Sequence, residues 1–229
     1  VGIFAAYVPA AMTLTEIYFN YSGYIEVGLV SSLILLYKRK FNRQEWDLII
    51  WFAISAITMI VAYTLQANHL YNGWWYNIAN FFQYGFPGYF YYKYIIDLRI
   101  KKRIVLSFSA AAVFSIIRLS IVGMTLPDKY CIIFWVFLDS MFAFIYLKQL
   151  FENIEVNPFH ILPFWFCAPA MLDAMCMIPS YAIFNVSKSY TLLITLDSIL
   201  QFTFSLWHFL FAFGIIYTQW LKRSALRTI

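Results

Sequence analysis

Charged residues are what this chain has least of. They make up 12% of its 229 residues, where a soluble domain carries about 25%. Against 63% hydrophobic residues, so little polar cover cannot coat a water-soluble domain, and so much apolar side chain cannot stay disordered. Cysteine is also scarce. Cys131, Cys167 and Cys176 form an odd set without CxxC spacing, which excludes a disulfide or cysteine-metal framework. His69, His160 and His208 lie in separate regions without an HExxH motif, so no metal site is expected. A GxSxG elbow, a P-loop and a Gly-rich dinucleotide turn are absent. No cofactor and no enzymatic reaction follow from the residues. The net charge of +5 fits loop residues beside membrane spans rather than a nucleic-acid surface.

What the chain does have is long apolar runs. A helix needs about 20 mostly apolar residues to cross a bilayer, and seven stretches between charge clusters qualify. They are residues 17–37, 47–66, 75–96, 104–124, 131–147, 158–184 and 190–221. The fold class expected is an all-α, polytopic transmembrane helix bundle in one domain, its partner the lipid bilayer. Residues 1–16 form an outer lead-in or an eighth span, and 222–229 a basic tail. Lys38, Arg39, Lys40 and Arg43, then Arg99, Lys101, Lys102 and Arg103, then Lys148, and finally Lys222, Arg223 and Arg227 all fall at one side. Only Lys129 and Lys188 flank spans on the other. The positive-inside rule therefore predicts an external N-terminus and a cytoplasmic C-terminus for a multi-pass membrane protein.

Several residues read as packing devices. Tyr71, Trp74, Trp75 and Tyr76 at one edge, and Trp46, Tyr217 and Trp220 at the other, suit the headgroup levels. Ser107, Ala111 and Ser115 repeat every four residues and permit close helix approach. Pro87 beside Gly85 and Gly88 in span three, and Pro163, Pro169 and Pro179 in span six, remove helical hydrogen bonds. Asn157–Pro158 is expected to cap and open the sixth helix.

The polar layer is the informative feature. Helical rise places Arg118 roughly 9 Å, Asp197 roughly 10 Å, Asp139 roughly 12 Å, Glu26 roughly 14 Å and Asp173 roughly 16 Å from the outer ends of their spans. His208 lies deeper, at roughly 27 Å. Asp197, Gln201, Ser205 and His208 form one stripe, and Asn77, Asn80 and Tyr84 another. Charged groups within spans face the bundle interior and pair or meet water. One Arg118 cannot neutralise four acids, so the others need protons, bound cations or water. A site for a small ligand, ion or proton and a purely helix-locking role both remain open at this point. The last span holds no lysine, which excludes a retinal Schiff base.

The basic LLYKRK exit at residues 35–40, the HLYNGWWYNI approach at 69–78 and the NPFHILPFWF approach at 157–166 resemble bacterial seven-helix integral membrane proteins of uncharacterised function. The resemblance covers most of the chain as an architecture and implies the bundle fold, with no activity to transfer. Gln83 and Tyr84 stand where such proteins often carry an acid. Three functions follow as expectations. The first is a non-enzymatic sensor or receptor-like module, or an accessory subunit working with a membrane-protein partner. The second is a small transporter or proton-coupled carrier. The third is an intramembrane hydrolase using two carboxylates.

Overall fold

Caps set where the helices begin. The computed structural model describes residues 14–68, 70, 72–124, 128–153, 155, 157–186 and 190–225. Among these the chain forms α1 (Leu14–Tyr37), α2 (Arg43–Ala67), α3 (Gly73–Tyr94), α4 (Leu98–Val122), α5 (Lys129–Glu152), α6 (Leu162–Val186) and α7 (Tyr190–Ala225), with no strand. At α2, Asn42 Oδ1 accepts from the Glu45 amide at 2.9 Å while Glu45 Oε2 accepts from the Asn42 amide at 2.8 Å. This reciprocal box satisfies two otherwise orphaned donors. It starts α2 at Arg43, four residues before the expected boundary at 47. Asp97 caps α4 in the same way, so that helix opens at Leu98 rather than 104. Asp128 caps α5 through the Tyr130 and Cys131 amides, both at 3.0 Å.

Two expectations about boundaries are corrected. Asn157 caps a short 3-10 helix, Pro158–His160, and α6 begins later, at Leu162. Ile161 between them is extended, and Pro163 has no amide with which to continue the first helix into the second. Helix α7 runs on to Ala225, past the expected end of its span at 221. Residues 1–13 lie outside the described residues, and the question of an eighth span lies with them.

Among the described residues five stretches are long and apolar enough to cross a membrane: Arg43–Ala62, Leu98–Val122, Lys129–Glu152, Leu162–Ile183 and Ser198–Ser224. The protein is a multi-pass helical membrane protein. In α1 the apolar stretch Val27–Tyr37 is shorter, and α3 interrupts its apolar run with buried Asn77, Asn80 and Gln83. Consecutive helices pack side by side, α1 closes on α7, and α2 meets α6 across the middle. Helix α4 stands outside this ring, against α3 and α5 alone. It buries Ile104, Ala111 and Ser115 and turns Leu106, Val113, Ile117 and Ile121 outward, as a lipid-facing helix does.

Contacts between loops define the two ends. At one, the basic end, Lys222 on α7 pairs with Glu45 on α2, Lys93 on α3 with Asp47 on α2, and Gln149 on α5 donates to the Tyr94 carbonyl at 3.1 Å. At the far end, Asn77 on α3 donates to the Met124 carbonyl at 3.2 Å. Between them lies an aromatic core. Trp51 packs on Phe166 and on Trp207, each with ring centroids 4.8 Å apart, and Phe90 packs on Tyr146 at 5.4 Å.

Proline explains one of the tryptophan bonds. Pro87 has no amide for the carbonyl four residues earlier, that of Gln83, and the Trp51 indole donates to this carbonyl at 2.8 Å. In lipid no water can serve that oxygen, so a neighbouring side chain must. Between the 3-10 helix and α6 the Trp165 indole donates to the Phe159 carbonyl at 2.9 Å. Glycine serves the close crossings. A Cβ at Gly88 would lie 2.6 Å from the Phe108 ring, and one at Gly214 would overlap the Trp165 Cβ.

Candidate functional site

The polar side chains described inside the bundle fall into separate layers. At the far end, Arg118 Nη2 donates to Asp128 Oδ2 at 2.8 Å, and its guanidinium stands 5.0 Å from the Tyr130 ring. Asn77 Oδ1 accepts from the Asp128 amide at 3.1 Å, so α3, α4 and α5 meet at this one residue. Burial pushes the Asp128 carboxyl up, but the Cys131 amide and the Arg118 guanidinium outweigh it and hold it below the usual carboxylate range.

Arg118 was expected among the span acids; the structure pairs it with Asp128 instead. Its site lies four residues from the end of α4, and a long arginine side chain reaches toward a polar surface past its own helix end. Asp128, absent from the expected site residues, is the residue the sequence reading missed. The signal was present: an Asp just before an apolar run is a cap.

The middle layer holds the two span acids whose side chains are described. Asp139 on α5 is 3% exposed and Asp173 on α6 is 4% exposed. The Tyr91 hydroxyl of α3 donates to Asp139 Oδ1 at 2.7 Å and also meets the Cys167 thiol of α6. Asp173 meets the Thr203 hydroxyl of α7, and its Oδ1 is buried without a hydrogen-bond partner. The two carboxyls lie within electrostatic range of each other, and Tyr84 lies within range of both and of Tyr181. Among the described residues neither acid forms an ion pair; Lys93, Arg118, Lys148 and Lys222 are engaged with other acids.

The sequence reading named Tyr84 but not Tyr91, Cys167 or Thr203. Tyr91 was within reach, because Asn77, Asn80, Tyr84 and Tyr91 recur at i, i+3, i+7 and i+14 along one helix face. Cys167 and Thr203 carry no pattern that separates them from packing residues.

Asn80 is buried on the same face as Asn77. His208 is buried on α7, edge-on to Phe52 with centroids 5.4 Å apart, beside the aromatic core. Ser205, one turn earlier, is buried with it. The side chains of Glu26, Asp197 and Gln201 lie outside the described residues. No group of three His, Cys, Asp or Glu suited to a metal occurs among the described residues. Compared with protein-family models, with curated proteins and with solved structures, the chain matches none.

Proposed function

We propose that this chain is a non-enzymatic, receptor-like module of a bacterial inner membrane, with seven spans, its N-terminus outside and its basic end in the cytoplasm. Its responsive element is the carboxyl pair Asp139 and Asp173, which takes up protons or a small cationic ligand. One observation carries this reading: two buried acids on adjacent helices meet hydroxyls and, among the described residues, no lysine or arginine. An ionised carboxylate in such a place is strongly disfavoured unless paired, so each acid calls for a proton or a cation. The pair also sits where α3, α5, α6 and α7 meet, so a change there bears on four helices at once.

The test uses the protein in lipid nanodiscs, with its intrinsic tryptophan fluorescence followed from about pH 5 to about pH 9. The wild type is expected to show a transition that moves or vanishes in Asp139→Asn and Asp173→Asn. Identical profiles in all three proteins would sink the proposal. A second reading, a proton-coupled carrier, draws on the unpartnered Asp173 oxygen, a place for a transported proton or cation. Proteoliposomes under a pH gradient separate the two. Flux that Asp173→Asn abolishes makes the chain a carrier; a fluorescence transition without flux keeps it a receptor.

A further inference from the structure

Beside the bundle, and independent of the acid pair, α3 and α4 leave an open face between them that reaches the basic end. A groove of about 420 Å³ runs between them, floored by Phe108 and Trp135 and bordered by Gly85, Tyr89 and Tyr92. It continues into a second hollow of about 550 Å³ that shares Tyr92 and adds Lys101 and Lys102. The two helices touch at Gly88, against the Phe108 ring, while nothing lies within 4 Å of a Cβ built at Gly85. The groove is therefore held open on one side of a fixed crossing. Lys101 Nζ sits 5.6 Å from the Tyr92 ring centroid, and neither Lys101 nor Lys102 appears in a salt bridge among the described residues. The nearby acid, Asp97, is engaged in capping, its Oδ1 accepting from the Arg99 amide at 2.6 Å.

We infer that this groove binds one anionic phospholipid, an acyl chain lying against Phe108 and Trp135 and the phosphate-bearing headgroup held by Lys101 and Lys102. Charge complementarity selects the occupant. An apolar trough ending in two lysines at headgroup depth suits a lipid with net negative charge and gives a zwitterionic one no advantage. The tyrosines Tyr89 and Tyr92 stand at the same level, where amphipathic rings settle. A polybasic side chain near an anionic surface contributes about fivefold in affinity, so the lysine pair together accounts for on the order of tenfold or more.

Native mass spectrometry of the detergent-solubilised full chain, incubated with phosphatidylglycerol or phosphatidylcholine, reads the site directly. The wild type is expected to retain one phosphatidylglycerol in preference to phosphatidylcholine. K101Q/K102Q should lower that preference on the order of tenfold. G85F should remove retention of either lipid, because its ring fills the groove without striking the α3–α4 crossing. K38Q/R39Q, exposed at the same end but outside the groove, should leave the preference as it is. Equal retention of the two lipids by the wild type overturns the inference. So does an equal loss in K38Q/R39Q, which would make the preference a property of the whole basic end. A second copy of the chain in the groove would appear as a dimer sensitive to G85F and indifferent to headgroup, and would overturn it too.

Discussion

Asp128 does the work of three residues. Its Oδ1 caps α5, its Oδ2 holds Arg118, and its amide is held by Asn77. The side chain is 2% exposed while that of Arg118 is 30% exposed, so removing the acid strands a guanidinium that can still reach water. Asp128→Asn keeps a good cap and loses the charge, and should destabilise by about 1 kcal/mol. Asp128→Ala loses both and should destabilise by about 2–3 kcal/mol. The pH dependence follows from the depressed carboxyl. Between the folded and unfolded titrations the unfolded chain binds more protons, so the contribution is complete above about pH 4 and is lost as pH falls below it. Thermal unfolding in detergent at several acidic pH values checks this. The gap between wild type and Asp128→Asn should close as the medium acidifies, and a gap that stays constant would refute the linkage.

Helix elements show the same logic of replaced partners. If the Trp51 indole is there to serve the carbonyl that Pro87 leaves open, the two residues must be energetically coupled. Trp51→Phe should destabilise by about 1–3 kcal/mol in the native chain, because it orphans a buried oxygen. With Pro87→Ala in place, the new amide at 87 serves the Gln83 carbonyl, and Trp51→Phe should then act through lost packing alone. A double-mutant cycle read by unfolding in detergent should give a coupling of about 1 kcal/mol or more; additivity would show that the indole bond is incidental. This pairing also marks where the sequence is readable and where it is not. Pro87 announces a missing amide, and apolar runs between charge clusters announce all seven helices. Which tryptophan replaces the amide depends on the helix packed alongside, and so does the partner of Arg118. Local signals mislead where two compete: Asn157–Pro158 is a sound helix start, and Pro163 supplies another five residues later, so the first yields only one short turn. The layer of span acids was visible as depth along single helices. Its division into an outer arginine cluster and a middle carboxyl pair follows from lateral packing, which depth does not encode.

At the scale of the molecule, α7 joins the middle layer to the basic end. Its 36 residues span about 54 Å at helical rise, well beyond the roughly 30 Å of a hydrocarbon core. Thr203 on this helix meets Asp173. Farther along, Lys222 Nζ donates to both Glu45 oxygens at 2.8 and 2.7 Å, and the Arg223 guanidinium stands 5.2 Å from the Tyr37 ring of α1. A rigid helix fastened at both places transmits a shift at one to the other only if the fastenings have more than one arrangement. Glu45→Gln tests the lower fastening while sparing the capping box, since glutamine serves that box as well. Lys222 is partly exposed, so the pair contributes about 1 kcal/mol or less, and its loss should speed amide exchange in the last turns of α7 by up to about fivefold without a comparable fall in global stability. Asp173→Asn should change exchange in the same turns if the carboxyl pair governs α7. Were the two sites independent, the factors in the double variant would multiply. The receptor reading requires that they do not, because occupancy at Asp173 and closure of the Glu45–Lys222 latch are then alternative states of one helix. Hydrogen exchange on the four proteins in nanodiscs decides it, and a simple product of the single effects would leave α7 as a strut rather than a transmitter.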